Sequence, residues 1–144
     1  MQNSSIDYLD RARYKMVKWF TIGWAIWFGT FILKDYLSEK WFVFSVILIG
    51  LIAWVMFVVQ HLRIMKLGKI FKTDPRIKDA LNDELMQHNR NKAAMVSYKV
   101  IMIFITIFLL FSLYTEVTAL LVSEILLYVG VLSPLITSLV LNKR

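Results

Sequence analysis

Long runs of apolar residues alternate with short polar segments along this chain. Four of the runs, at about residues 19–37, 41–60, 96–115 and 119–141, come close to the roughly 20 residues that a helix needs to cross a bilayer. The first and second runs are joined by a loop of a few residues, as are the third and fourth. The pattern therefore predicts an all-α, polytopic membrane protein, a single four-transmembrane-helix bundle made of two antiparallel hairpins.

The segment at about residues 61–95 is the one sizeable part outside these runs, and we expect helical cytoplasmic extensions there. At 100° per residue, its first half has an apolar helical face opposite three basic residues, Lys66, Lys69 and Lys72. Such a helix either continues the second span or lies on the membrane surface, and its lysines are candidates for contact with anionic lipids.

A second helix is predicted to begin at Asp74-Pro75, because Asp is a favoured N-cap and Pro suits the first helical position. No Gly or Pro follows until Gly130, so nothing local ends this helix before the third span does. Its exposed half carries an apolar seam at intervals of four residues, formed by Ile77, Leu81 and Leu85. We expect the seam to bind a partner helix, from this chain, from a second copy or from another membrane protein.

Composition and charge fix the orientation of the predicted spans. The chain is 58% hydrophobic and contains no cysteine, which excludes disulfides, thiolate metal sites and thiol catalysis. Of its 17 Lys and Arg residues, all but Lys34 and Lys40 fall on the side that carries both termini. The positive-inside rule therefore places the N- and C-termini in the cytoplasm. The Lys and Arg residues that this rule places on the cytoplasmic side also account for the net charge of +7. We therefore expect no nucleic-acid partner.

Glu124 lies within the fourth apolar run, where an ionised carboxylate is costly. One interpretation is a polar pathway in which Glu124, Ser123 and Thr137 face water. The alternative is a carboxylate near the outer interface, either protonated or bonded to a nearby side chain: Tyr128, Lys34 or Lys40. Small and hydroxylated residues on the same helix also permit tight helix packing, and packing is the commoner use of such residues.

A helical stripe of aromatic residues in the first span consists of Trp24, Trp27, Phe28 and Phe31. It could flank a quinone, a lipid tail or a haem, but packing is the commoner explanation. His61 and His88 lack the paired spacing of a metal site, and we expect no metal ion and no cofactor. No glycine-rich phosphate loop or nucleophile elbow occurs, and no acid–base pair lies within the spans. We therefore expect no catalytic residues and no enzymatic activity.

The segment Asp74-Pro75-Arg76, continued by Asn91-Lys92-Ala93 and Tyr98-Lys99, resembles the cytoplasmic linker of small four-span bacterial inner-membrane proteins of unknown function. In those proteins an Asp-Glu-Arg start precedes a polar helix that enters the third span through a basic-Ala step. Pro75 stands here in place of the Glu. The resemblance covers about a fifth of the chain. It implies residence in the bacterial inner membrane with the same topology, and no particular activity.

These patterns predict a small, non-enzymatic integral membrane protein that acts through helix–helix contacts, as an interaction, regulatory or immunity-type subunit. Four short helices enclose little interior, so we expect a homo-oligomer or a complex with another membrane protein. The alternative is an oligomeric channel, pore-former or small transporter with Glu124 on a polar pathway.

Overall fold

The computed structural model describes residues 2–73, 84–116 and 118–142 and, within them, the side chains of 8–69, 86–116 and 118–142. The described residues are almost entirely helical and contain no strand. Helix α1 (Gln2–Leu33) ends in a single 3₁₀ turn, Lys34–Tyr36, and is followed by α2 (Lys40–Thr73), α3 (Glu84–Ser112) and α4 (Ala119–Leu141). Each helix contains a stretch long and apolar enough to cross a membrane. The predicted all-helical fold with four such helices is confirmed.

Helix α2 continues without interruption through the basic stretch that follows the second apolar run. The first of the two sequence-based alternatives is therefore the one observed: this stretch extends the second span. Gly68 does not end the helix, since a single glycine costs a helix only about 1 kcal/mol relative to alanine. The predicted helix start at Asp74-Pro75 lies outside the described residues.

The four helices pack in the order α2–α1–α4–α3. Helix α1 lies between α2 and α4, and α3 packs on the far side of α4. Among the described residues, α2 and α3 have no extensive contact with each other, so the arrangement is open along one side. We call the end that carries residues 34–39 and 113–118 the loop end, and the opposite end, where α1 begins and α4 finishes, the terminal end.

Small residues bring α1 and α2 close together. A Cβ atom on Gly23 would lie 3.0 Å from the backbone nitrogen of Phe57 and 3.1 Å from the carbonyl oxygen of Ala53. Nearer the loop end, a Cβ atom on Gly50 would lie 2.5 Å from the Thr30 hydroxyl oxygen. Gly50, Ala53 and Phe57 follow at intervals of three and four residues, the spacing of two helices that cross at a small angle.

In the second hairpin, α3 and α4 lie further apart near the middle than α1 and α2 do in the first. At the terminal end, their interface contains polar residues. A Cβ atom on Gly130 of α4 would still be 3.7 Å from the Ile101 side chain of α3. Towards the terminal end, the residues of α3 that are buried include Asn89, Ala93 and Ser97, spaced one helical turn apart. The Ser97 hydroxyl donates to the Ala93 carbonyl oxygen at 2.6 Å, so its polar group is satisfied within the helix.

Replacing Gly23 by alanine should separate α1 from α2 and destabilise the protein. The added methyl group meets backbone atoms, which cannot rotate away, and overpacking of this kind costs about 1–3 kcal/mol. Gly68→Ala is the matched control, because a Cβ atom there has no atom within 4 Å. It should stabilise α2 by up to about 1 kcal/mol. The free energy of unfolding in detergent measures both changes, and a Gly23→Ala variant as stable as the Gly68→Ala variant would contradict the close approach.

Candidate functional site: the junction of the hairpins and the open edges

A cluster of aromatic rings joins the two hairpins at the contact between α1 and α4. Trp24 is 7% exposed and stacks on Tyr128, with 5.7 Å between the ring centroids. Phe28 stacks on Trp24 at 5.1 Å and on Tyr128 at 6.0 Å. The Tyr128 hydroxyl donates to the carbonyl oxygen of Ala25 at 3.2 Å. This part of the predicted aromatic stripe therefore packs against protein.

A second set of rings lies beside the first on α1, where the helix packs against α2, and Trp27 of this set is 6.3 Å from Phe28 of the first. Phe57 packs on Phe20 at 4.8 Å and on Trp27 at 5.7 Å between centroids. His61 continues the set, with its ring 6.2 Å from that of Phe57. Helix α1 therefore contacts both α2 and α4 through aromatic side chains, in keeping with its position between them.

Polar side chains connect three of the helices at the terminal end. The Arg13 guanidinium of α1 donates to the Met86 sulfur of α3 at 2.8 Å. Asn89 of α3 donates to the Asn142 side-chain oxygen at 3.0 Å, just beyond the last turn of α4. The Asn142 amide in turn donates to the Ser138 carbonyl oxygen at 2.8 Å. These bonds fix the end of α4 against α3 and the first part of α1 beside them.

Glu124 is half-buried on α4, one turn nearer the loop end than Tyr128 and therefore on the same side of the helix. The Tyr128 hydroxyl donates to the Ala25 carbonyl oxygen and not to the Glu124 carboxylate. Among the described residues, no tyrosine, lysine or other side chain lies within bonding distance of the Glu124 carboxylate. The bonded form of the interface interpretation, through Tyr128, Lys34 or Lys40, is not what the structure contains.

The other two residues of the predicted pathway lie apart from each other. Ser123 is exposed near the loop end, and its hydroxyl donates to the Ala119 carbonyl oxygen at 2.8 Å. Thr137 is half-buried and lines a groove of about 300 Å³ between α3 and α4. It lies thirteen residues beyond Glu124, about 20 Å along the helix axis. A single chain does not bring the three residues together, and their role in a pathway stays a prediction.

The basic stretch of α2 is described in its side chains only as far as Lys69. Leu67 is 8% exposed, whereas Lys66 and Lys69 are exposed. The Lys72 side chain lies outside the described residues. Ile77 and Leu81 of the predicted seam also lie outside them, and Leu85 is described in its backbone alone, within α3. The seam therefore stays a prediction.

The two edge helices expose large apolar side chains over most of their length. Ile52 at the middle of α2 is 65% exposed, and Ile103 at the middle of α3 is 58% exposed. The same holds closer to the loop end, where Phe44 of α2 and Leu110 of α3 are exposed. Apolar composition alone does not identify these edges, because residues that face a neighbouring helix are equally apolar.

No known protein family has a model that matches this chain. No curated protein and no solved structure matches it either.

Shortening Tyr128 should weaken the junction of the hairpins in two steps. Tyr128→Phe removes the bond to Ala25 and should cost about 0.5–1.5 kcal/mol. Tyr128→Leu also removes the ring contacts with Trp24 and Phe28, which adds about 0.5–1.5 kcal/mol per aromatic pair. Tyr114→Phe and Tyr114→Leu are the controls, since Tyr114 is 87% exposed. Unfolding followed by tryptophan fluorescence measures the losses, and equal effects at Tyr128 and Tyr114 would contradict the junction.

Proposed function

We propose that this chain is a small, non-enzymatic, multi-pass membrane protein that acts through helix–helix contacts, as an interaction, regulatory or immunity-type subunit. The observation that carries the proposal is the open order of packing, α2–α1–α4–α3, which leaves an apolar edge helix on each side. Such edges favour binding of a further helix, from a second copy or from another membrane protein.

Residence in a membrane is supported by the length and exposure of the helices. A helix bonds its backbone groups internally, and for that reason it can cross hydrocarbon. Helix α2 has 34 residues, about 51 Å at 1.5 Å per residue, so it exceeds a hydrocarbon layer of about 30 Å. Large apolar residues exposed around the row, such as Trp41, Ile52 and Ile103, would associate in water but are compatible with lipid.

We assign the terminal end to the cytoplasm of a bacterium and the protein to its inner membrane. The assignment is supported by the charge asymmetry, with two Lys at the loop end and the other 15 Lys and Arg residues towards the terminal end or the segments beyond it. The resemblance of the middle segment to linkers of four-span inner-membrane proteins supports the compartment. Exposed Lys66 and Lys69, with Lys72, are then suitably placed for anionic lipids of the cytoplasmic leaflet.

The cytoplasmic seam of Ile77, Leu81 and Leu85 adds a second contact surface. Its residues follow at intervals of four, so in a helix they would share one face, in a segment that is otherwise rich in charge. A partner helix that covers the seam would remove apolar surface from water. A partner helix on the edges would not, because the edges are exposed to lipid. We therefore propose that the seam supplies much of the binding free energy through burial of apolar surface. The edges contribute through close packing of helices.

A second candidate function, an oligomeric channel, pore-former or small transporter, is favoured by one observation. The Glu124 carboxylate lies in an apolar helix without a partner among the described side chains. Water in a pathway between protomers would solvate it. Because Glu124 and Thr137 are about 20 Å apart along α4, such a pathway would need residues of more than one copy.

Substitution of Leu81 by Asp tests the interaction proposal. A carboxylate within the seam should dissociate a complex of the full-length protein, measured by co-purification of two differently tagged copies and by the mass of cross-linked products in native membranes. Asn82→Asp is the control, since it adds the same charge on a different helical face. Loss of the complex in the Leu81 variant alone is the expected result.

Ion flux through liposomes that contain the purified protein separates the two candidate functions. The interaction proposal predicts no flux above that of empty liposomes. Flux whose selectivity or pH dependence changes in Glu124→Gln, but not in Glu116→Gln, would overturn it in favour of the pore.

A further inference from the structure

A groove of about 510 Å³ opens between α1 and α2 towards the loop end. Its sides are largely apolar and include Trp27 and Phe31 of α1 and Leu51 and Trp54 of α2. Thr30 and Gly50, where the two helices touch, also line it. The volume lies within the usual range for small-molecule sites, about 300–1,000 Å³.

One positive charge lies at this groove, on Lys34. Its ammonium nitrogen is 4.2 Å from the centroid of the Phe31 ring, a cation–π contact that holds the amine beside the groove. Among the described residues, no carboxylate is within ion-pair distance of that nitrogen. Asp35, Glu39 and Lys40 lie in the same connection and are exposed, but none of them lines the groove.

The tryptophans add hydrogen-bond donors to the apolar sides. Within the described part of the chain, neither the Trp27 nor the Trp54 indole N–H has an acceptor. The Thr30 hydroxyl is already engaged, since it donates to the Trp27 carbonyl oxygen at 2.7 Å. The groove thus combines an apolar channel, two available N–H donors and a cation near its loop end.

We propose that this groove binds one anionic phospholipid of the bilayer, with an acyl chain between Trp27 and Trp54 and the head-group phosphate at Lys34. This inference depends on the membrane location proposed above, but not on the interaction role. Charge complementarity favours an anionic lipid over a zwitterionic one, and the largely apolar sides suit an acyl chain. The groove lies at the end opposite Lys66, Lys69 and Lys72, so the lipid is one of the outer leaflet.

Photolabelling of the full-length protein tests the proposal. The protein is reconstituted in phosphatidylcholine vesicles that contain phosphatidylglycerol with a photoreactive acyl chain, and labelled residues are mapped by mass spectrometry. We expect labels concentrated at residues 27–34 and 47–54, displaced by unlabelled phosphatidylglycerol and not by added phosphatidylcholine. Even labelling of all four helices, or equal labelling by a phosphatidylcholine probe, would overturn the proposal.

Substitutions at Lys34 and at Leu51 separate charge recognition from the shape of the groove. Lys34→Gln should reduce groove labelling about five-fold, because one basic residue near an anionic lipid contributes about 1 kcal/mol. Lys34→Arg should retain it, and Lys40→Gln, with the same charge change outside the groove, should have no effect. Leu51→Trp should narrow the groove and reduce labelling with every charge intact. Equal labelling in the Lys34→Gln and Lys40→Gln variants would refute the assigned role of Lys34.

Carbonate extraction of the same vesicles distinguishes failure of this inference from failure of the membrane proposal. A protein that resists extraction but shows no preferred label remains an integral membrane protein without this lipid site. A protein that is extracted and takes no label from either probe contradicts both.

Discussion

The contact of Trp24 and Phe28 with Tyr128 is the interaction on which the arrangement of the four helices depends. Each hairpin has a short connection and an interface of its own, whereas α1 and α4 are far apart in sequence and meet through these rings and the Tyr128–Ala25 bond. In the proposed membrane location, burial of apolar surface would give helices little reason to associate, so ring packing and a hydrogen bond to the backbone would carry much of the association. The bonds of Asn89 and Arg13 at the terminal end support the same arrangement.

A central α1 has consequences for both edges. At Gly23 and Gly50, α1 and α2 approach each other closely within the first hairpin. Gly29 lies against the Tyr128 ring at the junction. These small residues are therefore occupied by internal contacts, and α2 and α3 present mainly larger side chains outwards. Large apolar side chains suit lipid, a bound acyl chain or a partner helix. The proposed lipid groove and the proposed partner surfaces both depend on these outward-facing apolar side chains.

Much of the architecture follows from the sequence alone, because the length of an apolar run and the brevity of a connection determine helices and hairpins directly. The continuation of α2 through Gly68 was one of two open alternatives. The order of packing could not be predicted, because the exposed residues of these helices are as apolar as the residues between helices. The hydrophobic periodicity that would show which side of a helix packs against a neighbour is therefore weak. For Glu124, the sequence places the carboxylate one turn from Tyr128, but it does not reveal that the hydroxyl bonds to Ala25 instead.

The most direct test of the open arrangement uses the absence of cysteine from the natural sequence. Pairs of cysteines are introduced at mid-depth on the two edge helices, at Leu51 or Val55 of α2 with Ile103 or Ile107 of α3, and treated in native membranes with a cross-linker of about 10 Å, the separation of neighbouring helices. The open arrangement predicts no cross-link within one chain for these pairs, whereas a control pair at Ile101 of α3 and Gly130 of α4, which are in contact away from the junction, should react within one chain. Efficient cross-linking of α2 to α3 within one protomer would show a closed bundle and contradict the account.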